Sequence, residues 1–465
     1  MRLQRHPALA SLRSRRTRSR AVRTVWHDTA RGALASRGLA LAEIPGRTPL
    51  WRLLRSLPEA RDPVWPGLPP RVEAEAATAG ALDPGVSDPL VPLVAFDGRR
   101  TDTPLADGLR LSLLAGELRA VAAREPVARL TITGDIAAAH ALAMRLAADL
   151  PLLPAPVALA EQGRALAHGT PCRPRRTGVP DLPVGLDVGD AFAFVVGHLA
   201  EVMLGWLPAT RAGETPEGVH QMRVALRRLR SALKIFGKAL ACDAIADLDD
   251  RLKVLAQALG PARDWDVFLA GAGADLSALV PEKPVLALIA DARSQRAAAY
   301  RELARVLSGP AFRQTVIAAA ALAATRPWPA EPATEPAEVF ASRMLARRHK
   351  RMLAHGKDIA SWPDEELHAL RLDGKRLRYA AEFFAPLFGG KDTKRYLRRL
   401  ADLQEALGIV NDGAVAAGLA GGVARTGPRA FASGALRGLV AGRAAAARGE
   451  AVAAWERFRE RKPFW

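Results

Sequence analysis

Apolar and polar residues change their rhythm along this chain near residue 186. Before it, short alternating runs lie between Gly, Pro and Asp: Arg23-Thr24-Val25-Trp26, Leu90 to Phe96, Leu109 to Leu114, and Arg129-Leu130-Thr131-Ile132-Thr133. Strand side chains point alternately to the two faces, so this texture predicts antiparallel strands joined by turns. Ile136 to Leu150 instead repeats its apolar positions at helical spacing and is stopped by Pro151. Prolines and glycine break any period over 171–184, which predicts a linker. Beyond it the pattern is almost purely helical. The chain therefore reads as α+β multidomain: a β-rich domain over 1–170, a linker over 171–185, and an all-α domain over 186–465.

Within the helical domain a single amphipathic pattern occurs twice. The first copy runs from His220 through Arg223, Arg227, Arg228 and Arg230 to Lys234 and Phe236. The second runs from His368 through Arg371, Lys375, Arg376 and Arg378 to Glu382 and Phe384, at an offset of 148 residues. The same offset carries Leu259-Gly260 onto Leu407-Gly408 and Asp264 onto Asp412. Two blocks sharing one offset indicate an internal duplication. The segment Thr325 to Glu338, rich in Pro, Ala and Glu, divides halves of about 186–324 and 339–465. Each half has room for about four helices, which fits two pseudo-symmetric bundles.

On a helical wheel His220, Arg223, Arg227, Arg230 and Lys234 fall within an arc of roughly 80°. Met222, Leu226, Leu229, Leu233 and Phe236 occupy the adjacent arc, and the second copy sets its cations against Leu370, Leu377 and Phe384. One stripe packs; the stripe beside it is cationic. A solvated face normally mixes acids with bases, whereas these stripes are nearly free of acid, so they call for an anion. Arg343, Arg347, Lys350 and Arg351 form a further basic face within Phe340 to Lys357, and Lys394 and Arg398 another, with Arg395 and Arg399 alongside. These extra charges predict a more cationic second half. Thr215-Pro216 and Asp364 are suited to start the two basic helices. Asp264 and Asp412 follow Leu-Gly pairs that read as helix breaks; each either caps the next helix or orients a basic side chain.

The net charge of +19 and pI near 10.9 point to a polyanionic partner. Aromatics make up 5% of the chain, and none falls within either cationic arc, which favours a ligand without bases to stack. Cys172 and Cys242 are too few for a disulfide framework or a metal cluster. The most apolar run, Ala191 to Leu207, is interrupted by His198 and Glu201 and reads as a buried helix, not a membrane span. A bacterial cytoplasmic protein is expected.

The stretches VHQMRVALRRLRSALKIF, LGPARDWDVF, LHALRLDGKRLRYAAEFF and LADLQEALGIVND resemble the CHAD family, the histidine-containing α-helical domain. The resemblance implies two four-helix bundles around a pseudo-twofold axis, with a basic channel between them that binds inorganic polyphosphate without chemistry. It places His220, Arg223, Arg227, Arg230, His368, Arg371, Lys375 and Arg378 in that channel. Association with polyphosphate granules is an extension of the same expectation, with nucleic acid as a non-specific competitor.

The first domain is similar to the CYTH group of triphosphate tunnel enzymes over Val25 to Leu41, Arg129 to Leu152 and Glu161 to Arg164. That implies an antiparallel β-barrel. Tunnel enzymes hold a divalent metal between glutamates of a Glu-x-Glu-x-Lys strand and a second acidic strand. Here no such strand opens the chain, and the second acidic strand reads Arg129 to Thr133. The Glu73-Ala74-Glu75 triplet falls elsewhere and reads as a surface turn or helix. Without paired carboxylates there is no Lewis acid or activated water, so a degenerate barrel with no cofactor and no catalysis is expected. The rival functions are inorganic triphosphatase activity, nucleic-acid binding through the same charge, and scaffolding.

Overall fold

The computed structural model describes residues 3–14, 16–55, 70–170, 177–356, 359–423 and 428–465. The expected linker segment 171–176 with Cys172, the residue Lys357, and the side chains of Asp364 and Asp412 lie outside the described residues. The chain divides into two compact units. One comprises Met1–Arg176, Val196–Gly205 and Gly309–Arg326; the other comprises Thr177–Val195, Trp206–Ser308 and Pro327–Trp465.

The first unit opens with α1 (Pro7–Ala10), β1 (Arg18–Thr29), α2 (Ala33–Ser36), β2 (Leu39–Ile44), β3 (Leu50–Arg55) and β4 (Arg71–Ala76). It continues with β5 (Leu90–Pro104), β6 (Arg110–Arg119), β7 (Arg124–Thr133), α3 (Ile136–Asp149) and α4 (Leu159–His168). The strands form one seven-stranded antiparallel sheet in the order β4-β3-β2-β1-β5-β6-β7. This fits a tunnel-type domain, but the sheet is open: among the described residues no pairing joins β4 to β7, as a closed barrel requires. Gly98 on β5 pairs with Gly116 on β6. A Cβ on Gly98 would stand 2.4 Å from the Ala115 carbonyl oxygen and 2.6 Å from the Phe96 ring, so only glycine admits that ring beside the strands.

The Glu73–Glu75 pair lies on strand β4, not on a turn or helix. Arg55 and Arg71 both donate to Glu73, at 2.9 and 2.8 Å, and Arg52 meets Glu75 at 2.6 Å. Cross-strand arginines thus offset two acids that would otherwise disfavour an edge strand. Arg129 of β7 donates to Gln162 of α4, which donates to Glu125 at 2.9 Å. This basic strand is tied to a helix by hydrogen bonds.

The helices that follow are α5 (Val188–Ala212), α6 (Glu217–Phe236), α7 (Asp243–Ala270), α8 (Ala272–Leu279), α9 (Lys283–Ser308) and α10 (Pro310–Thr325). After the single turn α11 (Ala330–Ala333) come α12 (Ala337–Leu353), α13 (Asp364–Phe388), α14 (Gly390–Val423) and α15 (Pro428–Arg459). Four long helices, α5, α6, α7 and α9, match α12 to α15 in order. The first half adds the short α8 and the helix α10, which belongs to the first unit. There buried Arg313 donates to the Ala147 and Ala148 carbonyls at 2.9 and 3.3 Å, satisfying carbonyls that the end of α3 leaves without helical partners. Helix α5 is long and apolar enough to span a membrane, yet 83% of its most apolar window is buried inside the protein.

Neither Leu-Gly pair breaks a helix. Helix α7 runs through Gly260 and Pro261, and α14 runs through Gly408. Asp264 and Asp412 therefore lie within helices and not at the start of a new one. A helical glycine costs about 1 kcal/mol relative to alanine. Burial of Leu255 and Leu259 in α7, and of Leu403 and Leu407 in α14, outweighs it.

A cluster of four phenylalanines lies in the core of the second unit. Phe236 lies 5.2 Å from Phe192, 5.5 Å from Phe340 and 5.6 Å from Phe384, centroid to centroid. Phe340 and Phe384 are 6.1 Å apart. The offset of 148 residues that relates Phe236 to Phe384 also relates Phe192 to Phe340. Replacing a buried phenylalanine by alanine costs about 3–5 kcal/mol. Phe236→Ala is expected at the upper end, and Phe192→Ala below it, in urea denaturation monitored by circular dichroism.

Candidate functional site

The two basic stripes lie on α6 and α13, which pack together in the second unit. The apolar arcs face inward: Met222, Leu226, Leu229, Leu233 and Phe236 are all buried, as are Leu370, Leu377 and Phe384. That packing pushes both cationic arcs toward the surface. The two helices meet at one carboxylate. Glu382 accepts from Arg228 of the other copy at 3.1 Å and from Arg378 of its own helix at 2.7 Å. Beside it the Arg227 guanidinium stands 5.4 Å from the centre of the Tyr379 ring.

The predicted site residues separate by what already engages their charge. Arg230 donates to Asp249 at 2.8 Å, and Arg376 donates to Asp373 at 2.8 Å. Arg351 and His355 also reach Asp373, at 2.9 and 3.0 Å. Arg343 grips Glu335 with both terminal nitrogens, at 2.6 and 2.8 Å. Each of these arginines is engaged by a carboxylate, and the Arg230–Asp249 and Arg351–Asp373 pairs tie one helix to another. Arg227, Lys234 and Lys350 are exposed, and no carboxylate partner is seen for them among the described residues. Arg347 is exposed and donates to the Met344 sulfur at 3.3 Å, with no carboxylate partner among the described residues. Arg223 stands 3.9 Å from Asp264, near enough to be oriented by it and too far for a hydrogen bond. His368 is exposed, and Arg371 and Lys375 are half-buried. Lys394 and Arg398 sit on α14, where Arg398 lines a separate cleft.

The electrostatics follow from this crowding. Burial, together with the charges of Arg263 and Arg227, holds His220 below the usual imidazole range, against the opposing pull of Glu217. His220 is therefore neutral at pH 7. Burial raises the Asp264 carboxyl, and Arg223 and Arg263 only partly counter it. Burial also raises Asp373, but hydrogen bonds from His355, Arg351 and Arg376 outweigh it and leave the carboxyl below its ordinary range. Arg348, which donates to the Arg376 carbonyl at 2.5 Å, is pushed down to about 10 by burial and by Arg347 and Arg376.

Sequence reasoning located the cations and missed the acids. Asp249 and Asp373 come from positions outside the cationic arcs, Glu382 stands within the second arc, and the expected surplus of charge in the second half is reduced by Glu382 and Asp373. One signal was visible: Lys234 aligns with Glu382, a reversal of charge within the duplication. Among the described residues no group of three or more His, Cys, Asp or Glu is placed to hold a metal ion.

A CHAD domain family model matches residues 195–421. The crystal structure of the CHAD domain from the plant Ricinus communis aligns at 31% identity with a TM-score of 0.55, covering 63% of this chain and 98% of that one. Uncharacterized protein Rv2226 of Mycobacterium tuberculosis is 30% identical over 193 residues, 40% of this chain and 37% of that protein. Its counterpart in strain CDC 1551 matches equally. The chain thus spans little more than a third of the length of these curated relatives.

Removing one partner of a buried ion pair costs about 3–5 kcal/mol. Glu382→Ala leaves Arg228 and Arg378 facing each other, and is expected to lose about 3 kcal/mol in urea denaturation at pH 7, with Glu382→Lys losing more. The Asp373 carboxyl is depressed in the fold, so its stabilisation is complete above its unfolded pKa of about 3.9 and disappears as pH falls through the folded value. The stability gap between the parent and Asp373→Asn should be constant from pH 7 to 5 and narrow below about pH 4, as read from urea midpoints at each pH.

Proposed function

This chain belongs to the CHAD family through residues 195–421, and on that premise we propose that it binds inorganic polyphosphate, without chemistry, along the paired stripes of α6 and α13. The observation that carries the reading is the contact of α6 with α13 at Glu382, which brings the helices of both stripes together. It sets the helices that carry the two cationic arcs, one from each copy, side by side. A linear polyphosphate presents a closely repeated row of oxygens with about one charge per phosphate. Guanidinium forks match adjacent oxygens, and lysines add point charge. Arg223, Arg227 and Lys234 supply the first row, and Arg371 and Lys375 the second. His220, neutral at pH 7, donates a hydrogen bond without adding charge. Absence of aromatics from both arcs favours this ligand over single-stranded nucleic acid.

The first unit is proposed to be non-catalytic. Its Glu73–Glu75 pair is engaged by Arg52, Arg55 and Arg71, which disfavours a metal on that pair, and among the described residues no group of three or more His, Cys, Asp or Glu is placed to hold one.

The test is a titration with long-chain polyphosphate at graded salt. By analogy with DNA, affinity should fall by roughly 10³–10⁵ between about 50 and 200 mM salt if about eight phosphates are neutralised. A variant with Arg223, Arg227, Arg371 and Lys375 all changed to Ala should lose binding while keeping its helical circular dichroism. Polyphosphate should displace DNA at low equivalents of phosphate. Binding that ignores salt, or survives the fourfold change, overturns the reading.

A further inference from the structure

Away from the stripes, four arginines converge on one cleft. Arg395, Arg398, Arg399 and Asp402 lie on one face of α14, and Arg461 reaches them from beyond α15; together they line a space of about 440 Å³. The cleft is held by an aromatic clasp. Phe464 stands 5.5 Å from Phe388 and 5.3 Å from Tyr396, and Trp465 stands 5.3 Å from Tyr396. Buried Tyr396 is itself fixed by a 2.8 Å hydrogen bond between its hydroxyl and the His349 ring. The segment bearing Arg461 is thereby pinned onto α14.

The forks in this cleft remain open. Arg395 and Arg461 stand 3.7 and 3.9 Å from Asp392, and Arg399 stands 3.9 Å from Asp402, all beyond hydrogen-bond distance. Arg398 has no ion pair or hydrogen bond among the described residues and is exposed. Elsewhere the protein brings an acid to within 2.6–2.9 Å of an arginine that it neutralises, as at Arg343, Arg230 and Arg351. Here four guanidinium groups are gathered with their donors unspent. No apolar or aromatic side chain lines the space, so charge and guanidinium hydrogen bonding are what it offers a ligand.

We propose that this cleft is a second, separate binding site for a compact inorganic oligophosphate, of the size of tripolyphosphate. Its ligand chemistry rests on the phosphate-binding reading above; its residues are independent of the stripes. A long polyphosphate chain offers the same phosphoryl chemistry, so the experiment compares the two lengths.

The full chain is titrated calorimetrically with tripolyphosphate and, separately, with long-chain polyphosphate. Arg398→Glu should weaken tripolyphosphate binding by about tenfold or more, and Arg461→Ala by less. Arg301→Glu, an equal change of charge at an exposed site on α9, should shift it by about twofold at most. A stripe variant, Arg227→Ala with Arg371→Ala, should keep tripolyphosphate binding and lose long-chain affinity. Tripolyphosphate binding unchanged by Arg398→Glu overturns the cleft, as does an equal loss in Arg301→Glu. Long-chain binding unchanged in the stripe variant overturns the preceding reading and leaves the cleft standing. If long-chain polyphosphate blocks tripolyphosphate in the stripe variant, the cleft also accepts segments of the longer polymer. If it does not, the cleft takes short chains only.

Discussion

The packing of four buried phenylalanine rings governs the helical unit. Phe192, Phe236, Phe340 and Phe384 come from α5, α6, α12 and α13, and each pair related by the duplication contributes one member from each half. Aromatic contacts of this kind add about 0.5–1.5 kcal/mol each beyond the area they bury. More importantly, they allow α6 and α13 no freedom to separate. Like charges on two facing helices repel, and the repulsion is tolerated because an apolar core on the other side of the same helices holds them together. The cationic face is preorganised by hydrophobic packing, which salt does not screen.

Much of this was legible in the chain. The helical period identified the buried residues of α6 correctly, from Met222 to Phe236, because one helix buries one stripe whatever its neighbours are. The duplication revealed itself because two blocks shared one offset. What stayed hidden depends on contacts between distant elements. The wheel counts cations on one helix and cannot show that Asp249 will meet Arg230, or that Asp373 will gather Arg351, His355 and Arg376. The Leu-Gly pairs looked like breaks because local propensity is all a short window contains. In α7 and α14 the surrounding leucine contacts outweigh it. The partnership of Phe192 with Phe340 obeyed the same offset as the basic stripes, but lay outside the motifs that drew attention to it.

The first unit shows the same division. Its strands and α3 follow from alternation and turn residues. Whether the sheet closes is decided by pairing between its outermost strands, to which no short window of sequence has access. Glu73 and Glu75 were misplaced for a related reason: a strand with two acids becomes acceptable once β3 brings Arg52 and Arg55 opposite it. The Glu-x-Glu pair read as a surface turn or helix is, in the fold, half of an ionic ladder.

The meeting at Glu382 has a consequence for how the two halves recognise each other. Near a twofold axis a group meets the equivalent of its own neighbour, and equivalents in an identical copy carry equal charge. The offset that produces the Arg228–Glu382 contact has as its mate Arg376 against Lys234, which are both cations. Both contacts cannot be attractive while the halves remain the same. Arg376 turns instead to Asp373, which stands where the first copy has Ala225. The halves therefore fit as a lock to a key, not as a pair of equal surfaces. In a crowded solution of such chains, one first half meeting another would bring Lys234 and its neighbours against their own likeness. The acid that ties the two halves within one molecule thus favours a first half against a second half over the pairing of two like halves.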